Sequence, residues 1–205
     1  MKAALLALTL LALQDGKVKI AVDVSQVPEL EEWAAKAKAL CEEWYPKMCE
    51  YLATPGFEAP KELSIRFEKD KKGVADTSGT KIRIAADWVK KHPEDTGMVV
   101  HELVHVAQDY RKGGPGWVTD GIADYIRYFQ YEKKAITPKE KRKGSYKDSY
   151  RTTASFFAWL VDKHDKEIVK KLNAAMRGGK YSDDLFKEWT GKDLDALWKD
   201  YLAAD

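Results

Sequence analysis

Residues 98–107 set the strongest condition on this chain. Met98, Val99, Val100, Leu103, Val104, Val106 and Ala107 make a helix apolar over nearly its whole circumference, yet His101-Glu102-Leu103-Val104-His105 sits in its middle. A helix of that kind belongs inside a domain, so its two imidazoles and its carboxylate must find partners away from bulk water. Residues four apart stack on one helix face about 5–6 Å apart, which lets His101 and His105 offer nitrogens to one tetrahedral metal ion, zinc first among the candidates. Glu102 follows the first histidine directly and points to the side of that face. There a carboxylate can take a proton from a water that the metal activates. The plain alternative is that the histidines pack and bind nothing, since such a five-residue match arises by chance in on the order of one chain in a hundred.

A metal site needs a third ligand, and the sequence offers one at sensible range. Gly113-Gly114-Pro115-Gly116 must end the motif helix and reverse the chain. A second helix is predicted from about Val118 to Glu132, with Ile122, Ile126 and Phe129 inward. Asp120 and Asp124 lie four apart on it, and fourteen residues separate His105 from Asp120, enough for the second helix to fold back on the first. Asp120 is therefore the expected third ligand. Asp124 is expected to hold the distal ring nitrogen of a ligating histidine. Both could instead be surface acids offsetting the dipole of a helix's first turns.

The remaining chain reads as α+β. Lys17 to Val24 and Leu63 to Glu68 alternate as strands. Pro28 to Leu52 has helical spacing with Leu30, Trp33, Ala37, Leu40, Trp44, Met48 and Leu52 inward, and Pro46 is expected to kink or divide it. Lys69 to Gly79 reads as a polar loop, either a hairpin turn or a metal-binding loop, in which Asp70 and Asp76 lack the alternation of a calcium loop and are left as turn residues, and Thr80 to Ala86 reads as a strand. His92 to Thr96 supplies a turn and cap before the motif helix. That order puts an edge strand near the metal, where a peptide could add by main-chain hydrogen bonds. Lys133 to Asp148 is a surface loop, and helices are expected at Tyr150–Asp162, 166–176, 182–188 and 194–202.

At 205 residues the chain suffices for one domain with a sizeable core. Met1-Lys2 and the apolar run Ala3 to Leu13 form a charged start and a stretch too short to span a bilayer. This predicts a signal peptide over 1–14, a domain over 15–205, and a secreted or periplasmic protein with no membrane partner after cleavage. Without residues 1–14 the chain has 34 basic against 33 acidic side chains, which argues against nucleic acid as a partner. The cluster Lys139 to Lys143 is read as a solvated loop. Cys41 and Cys49 would stand about 12 Å apart in an unbroken helix, beyond disulfide reach. A break at Pro46 would allow them to pair.

The residues also match a family pattern. Thr77-Ser78-Gly79 with Ile82-Arg83-Ile84, His101 to Gln108, Pro115-Gly116-Trp117, Gly121 to Arg127, and Ala174 to Arg177 with Leu197-Trp198 resemble the plant basic secretory protein family and its bacterial relatives, a zincin-like group of peptidases. The resemblance runs from about Lys61 to Leu202. It implies a zincin-like single domain in which a zinc ion is held by His101 and His105 and Glu102 is the base. The acid before Gly-Ile-Ala-Asp is usually glutamate in that family; here it is Asp120, whose shorter side chain must bring its backbone closer to the metal.

The expected function is therefore zinc-dependent hydrolysis of peptide or protein substrates, with Tyr150, at the head of a later helix, as a hydroxyl donor to the developing oxyanion. The alternative is a noncatalytic secreted binding protein that keeps a structural zinc. Glu102 counts against it, because a purely structural site has no use for a base.

Overall fold

The computed structural model describes residues 18–148 and 150–204. The expected signal segment 1–14 lies outside them. Four strands and, among the described residues, eight α-helices form an α+β fold that is mainly helical after the sheet. The strands are β1 (Lys19–Asp23), β2 (Glu62–Glu68), β3 (Ala75–Ser78) and β4 (Lys81–Ala85), in the order β1-β2-β4-β3. β1, β2 and β4 run parallel and β3 runs antiparallel to β4, with Thr77 opposite Ile82.

Only one face of this sheet is buried. Leu63, Ile65, Phe67, Ile82 and Ile84 point into the core while Lys81 and Arg83 face out, the alternation of a half-covered sheet. The cover is α1 (Glu31–Tyr51), lying against β1, and α3 (Gly97–Gln108), lying against β3 and β4; the two helices also pack on each other. Ten of the twelve residues of α3 are buried, which places the motif at the middle of the molecule. At a site like Leu103, fully buried, truncation to alanine costs about 2–5 kcal/mol.

Several expectations need correction. Pro46 does not divide α1, which runs unbroken through it. It sits on the exposed side, where the bond it cannot donate is lost to solvent and not to the core. Because the helix continues, Cys41 and Cys49 stay apart as free thiols, and burial raises them to about 12 and about 11. The buried stripe of α1 is also rotated from the expected one. Ala34, Ala37, Cys41, Tyr45 and Met48 face inward, and Trp33, Leu40 and Trp44 are half-buried at its margin. The polar stretch 69–79 holds a strand, β3, so the edge beside the motif helix is Ala75–Ser78 and not the strand after it. Asp76 is accordingly a strand residue, paired with Lys71 and Arg83. After Ala85 the chain turns at once into a short helix, α2 (Ala86–Lys91), that the reading above lacks.

Beyond α3 come α4 (Gly116–Tyr125), a π-helical stretch (Ile126–Tyr131), and then α5 (Tyr150–Lys163), α6 (Ile168–Gly178), α7 (Asp184–Thr190) and α8 (Leu194–Ala203). α4 lies directly on α5. A Cβ at Gly121 would meet Thr153 Cγ2 at 2.4 Å, so glycine there sets how closely the two helices approach. The far side of α5 is an aromatic block, in which Phe156 contacts Tyr146, Trp159, Trp198 and Tyr201. Arg142, in the expected solvated loop, is tied instead to the carbonyls of Tyr201 and Ala204. No helix among the described residues is long and apolar enough to cross a membrane.

Candidate metal centre

Two helices and one strand edge build the site. α3 presents His101 and His105 one turn apart on the side facing α4, with their rings edge to face at 4.7 Å. Their Nε2 atoms are 3.0 Å from each other. α4 brings Asp120 to the same point, with Oδ1 3.6 Å from His105 Nε2. One ligand atom from each of His101, His105 and Asp120 lies within 4.8 Å of the others. The structure thus brings together the three residues that the sequence offered as ligands.

The distal ring nitrogens have separate partners. His101 Nδ1 is 2.8 Å from Asp124 Oδ1, one turn beyond Asp120 on α4. His105 Nδ1 is 2.8 Å from Gln108 Oε1. Gln108 in turn donates from Nε2 to the carbonyl of Thr119 at 3.0 Å, which fixes its amide with the oxygen toward the histidine. Both Nδ1 atoms therefore carry protons, and in neutral rings both Nε2 atoms are lone-pair acceptors aimed at one point.

Two such lone pairs with a carboxylate beside them have nothing to accept from among themselves, so a cation suits the place they enclose. Asp124 gives a second sign of fit. It is 1% exposed, and its Oδ2 is buried without a hydrogen-bond partner. A buried carboxylate using only one oxygen is costly, and positive charge held one imidazole away offsets that cost. Nitrogen and carboxylate donors suit zinc. In the protein alone, burial disfavours charge on His101, but Asp124, with Glu102 and Asp120 behind it, outweighs burial and raises the pKa of that ring. At His105 burial and the charge of His101 act together and lower it.

Glu102 is buried and is not one of the three gathered donors, although it lines the same cleft. Thr77 Oγ1, on the edge strand β3, lies 2.7 Å from Glu102 Oε2 and 3.0 Å from its main-chain carbonyl. A single hydroxyl proton thus joins the strand edge to the motif helix. All of this opens on a cleft of about 540 Å³, walled by Val74 to Thr77 on one side and by Met98, Arg127 and Tyr150 on others. Tyr150 is 65% exposed and has a positive φ of 54°, a backbone conformation uncommon for a tyrosine. Its ring stands at the rim of the cleft.

Thr77, Gln108 and Arg127 stand in segments that carry the family resemblance, but the sequence assigns none of them a part in the site. Gln108 could have been found there, since it stands three residues after His105 on one helix face. Nothing local marks Thr77, which reaches Glu102 from a distant strand.

A mainly helical α+β fold thus gathers two histidines and an aspartate in an open cleft, a group of side chains that could hold a metal ion. The chain belongs to the BSP family, the peptidases of plants and bacteria, whose sequence pattern matches residues 36–201. No curated protein and no solved structure matches it.

Proposed function

We propose that this protein is a zinc-dependent peptidase of zincin-like architecture, with His101, His105 and Asp120 as zinc ligands and Glu102 as general base. The observation that carries the reading is the convergence of three ligand atoms on one point while an adjacent buried glutamate stays outside them. Family membership supplies the reaction class. Bound zinc supplies Lewis acidity, which acidifies water and polarises a carbonyl oxygen.

The chain's own residues do the rest. An extended peptide lies along β3, whose outer edge has no partner strand among the described residues, and pairs with it through main-chain hydrogen bonds. Glu102 accepts the proton of the attacking water and passes it to the leaving amine. Thr77 holds the Glu102 carboxylate in line with that edge. Asp124 and Gln108 fix the rings of His101 and His105. The Tyr150 hydroxyl donates to the oxygen on which negative charge develops.

The test is elemental analysis of purified protein together with hydrolysis of denatured casein. Stoichiometric zinc, loss of cleavage on chelation, and its return with added zinc are expected. Cleavage that survives both chelation and Glu102→Gln would overturn the proposal.

A further inference from the structure

Arg127 borders two clefts, the one holding the histidines and an adjoining one of about 640 Å³ lined by polar residues such as His92, Thr96 and Tyr131. Its guanidinium is held from two sides. Nη2 donates to Asp95 Oδ1 at 2.7 Å, and Nε donates to Glu132 Oε1 at 2.9 Å. Nη1 has no hydrogen-bond partner among the described residues.

The backbone is shaped around this pair of anchors. Residues five apart point to different sides of an α-helix, with its 3.6 residues per turn. The π-helical stretch that follows α4, closed by Glu132 N donating to Arg127 O at 2.8 Å, brings those two side chains together. The first residue of α3 yields to them as well. A Cβ on Gly97 would stand 2.1 Å from Glu132 Oε1 and 2.7 Å from Arg127 Nε. Asp95 is itself fixed, accepting from Met98 N at 3.2 Å and from Trp88 Nε1 at 3.0 Å.

Charge then limits what the free nitrogen can bind. Asp95 and Glu132 neutralise Arg127, and Lys134 is paired to the second oxygen of Glu132, so two cations face two anions. A guanidinium compensated in this way has little net pull on a free carboxylate. It keeps its N–H donors in fixed geometry, which suits a neutral carbonyl oxygen.

We propose that Arg127 is a substrate-binding residue that donates from Nη1 to a main-chain carbonyl of a peptide running from one cleft into the other. On the peptidase reading above, on which this rests, the substrates are then internal segments of extended polypeptide and not C-terminal residues.

The test is binding, which needs no turnover. Zinc-loaded Glu102→Gln protein is titrated with a fluorescein-labelled pool of randomised octapeptides, prepared once as free acids and once as C-terminal amides. Equal affinity for acid and amide is expected, with both weakened roughly tenfold to a hundredfold by adding Arg127→Met. Zinc content is measured in each variant. Should Arg127→Met fold poorly, Arg127→Met with Glu132→Gln removes the carboxylate left behind, while Asp95 keeps its other two donors. Unchanged affinity on loss of Arg127, acid bound more tightly than amide through Arg127, or no peptide binding at all would each overturn the proposal. Peptides that bind in this pattern without being cut by the protein carrying Glu102 would sink the peptidase reading and leave Arg127 as a peptide-binding residue.

Discussion

The wedge between α3 and α4 and the aromatic block beyond α5 are both buried, and they are held together by opposite means. In the wedge a chain of polar contacts at hydrogen-bond distance runs from Asp124 Oδ1 through His101 to His105, Gln108 and the Thr119 carbonyl, with Asp124 Oδ2 the one buried atom left over among the described residues of that chain. In the block Phe156, Trp159, Trp198 and Tyr201 touch one another through ring faces and edges, centroids 5.1–6.2 Å apart. Geometry in the first is set atom by atom, and in the second by filled volume. On the proposed function, the contrast places chemistry and stability in separate regions of one core, and each is expected to be open to damage without the other.

The sharpest way to break that separation is at Glu102. Glu102→Gln keeps shape and the contact with Thr77, so hydrolysis is expected to fall by about 10²–10⁴-fold while the melting temperature and zinc content hold; a protein that melts early instead would show the two regions to be one. Next comes Phe156→Ala, which empties the middle of the block and should cost about 3–5 kcal/mol in urea unfolding. Zinc affinity of the folded fraction should be unaltered, as a chelator competition would show. Gln108→Leu is expected to lower zinc affinity about 10–100-fold in the same competition, because His105 loses the acceptor that sets its ring; equal affinity would mean that Gln108 serves only the Thr119 carbonyl. The smallest effect is at Asp193, whose side chain caps α8 by accepting from Ala196 N at 2.8 Å. Asp193→Ala should cost about 1 kcal/mol of stability and leave hydrolysis alone.

How much of this the sequence discloses follows the same division. The motif helix, the α4 that follows it and the order of the C-terminal helices are legible, because apolar spacing reports directly on which face is buried. The gathering of His101, His105 and Asp120 is legible for the same reason, since two adjacent helices with a short link have few ways to pack. β3 is not legible. Ala75-Asp76-Thr77-Ser78 is half-exposed along its length and shows no alternation, so it becomes a strand only because β4 is there to pair with it. Pro46 misleads because its effect depends on which side of the helix it falls. The pairing of Arg127 with Glu132 is hidden for a sharper reason: it needs a π-helical register, and reading at 3.6 residues per turn puts the two apart. Among the neutral partners, Gln108 is marked only by its spacing three residues after His105, and Thr77 has no local signal that ties it to Glu102.

The end of α3 carries one more consequence. Asp109 turns left-handed straight after Gln108, and Arg177, far along on α6, donates to the carbonyls of Ala107 and Gln108 and to that of Leu52 at the end of α1. During synthesis every donor of the cluster has left the ribosome long before the guanidinium that clamps their helix. On the proposed function, a nascent chain halted between the two would possess all three proposed ligands and lack the scaffold that aligns them, which places capture of an ion late in maturation.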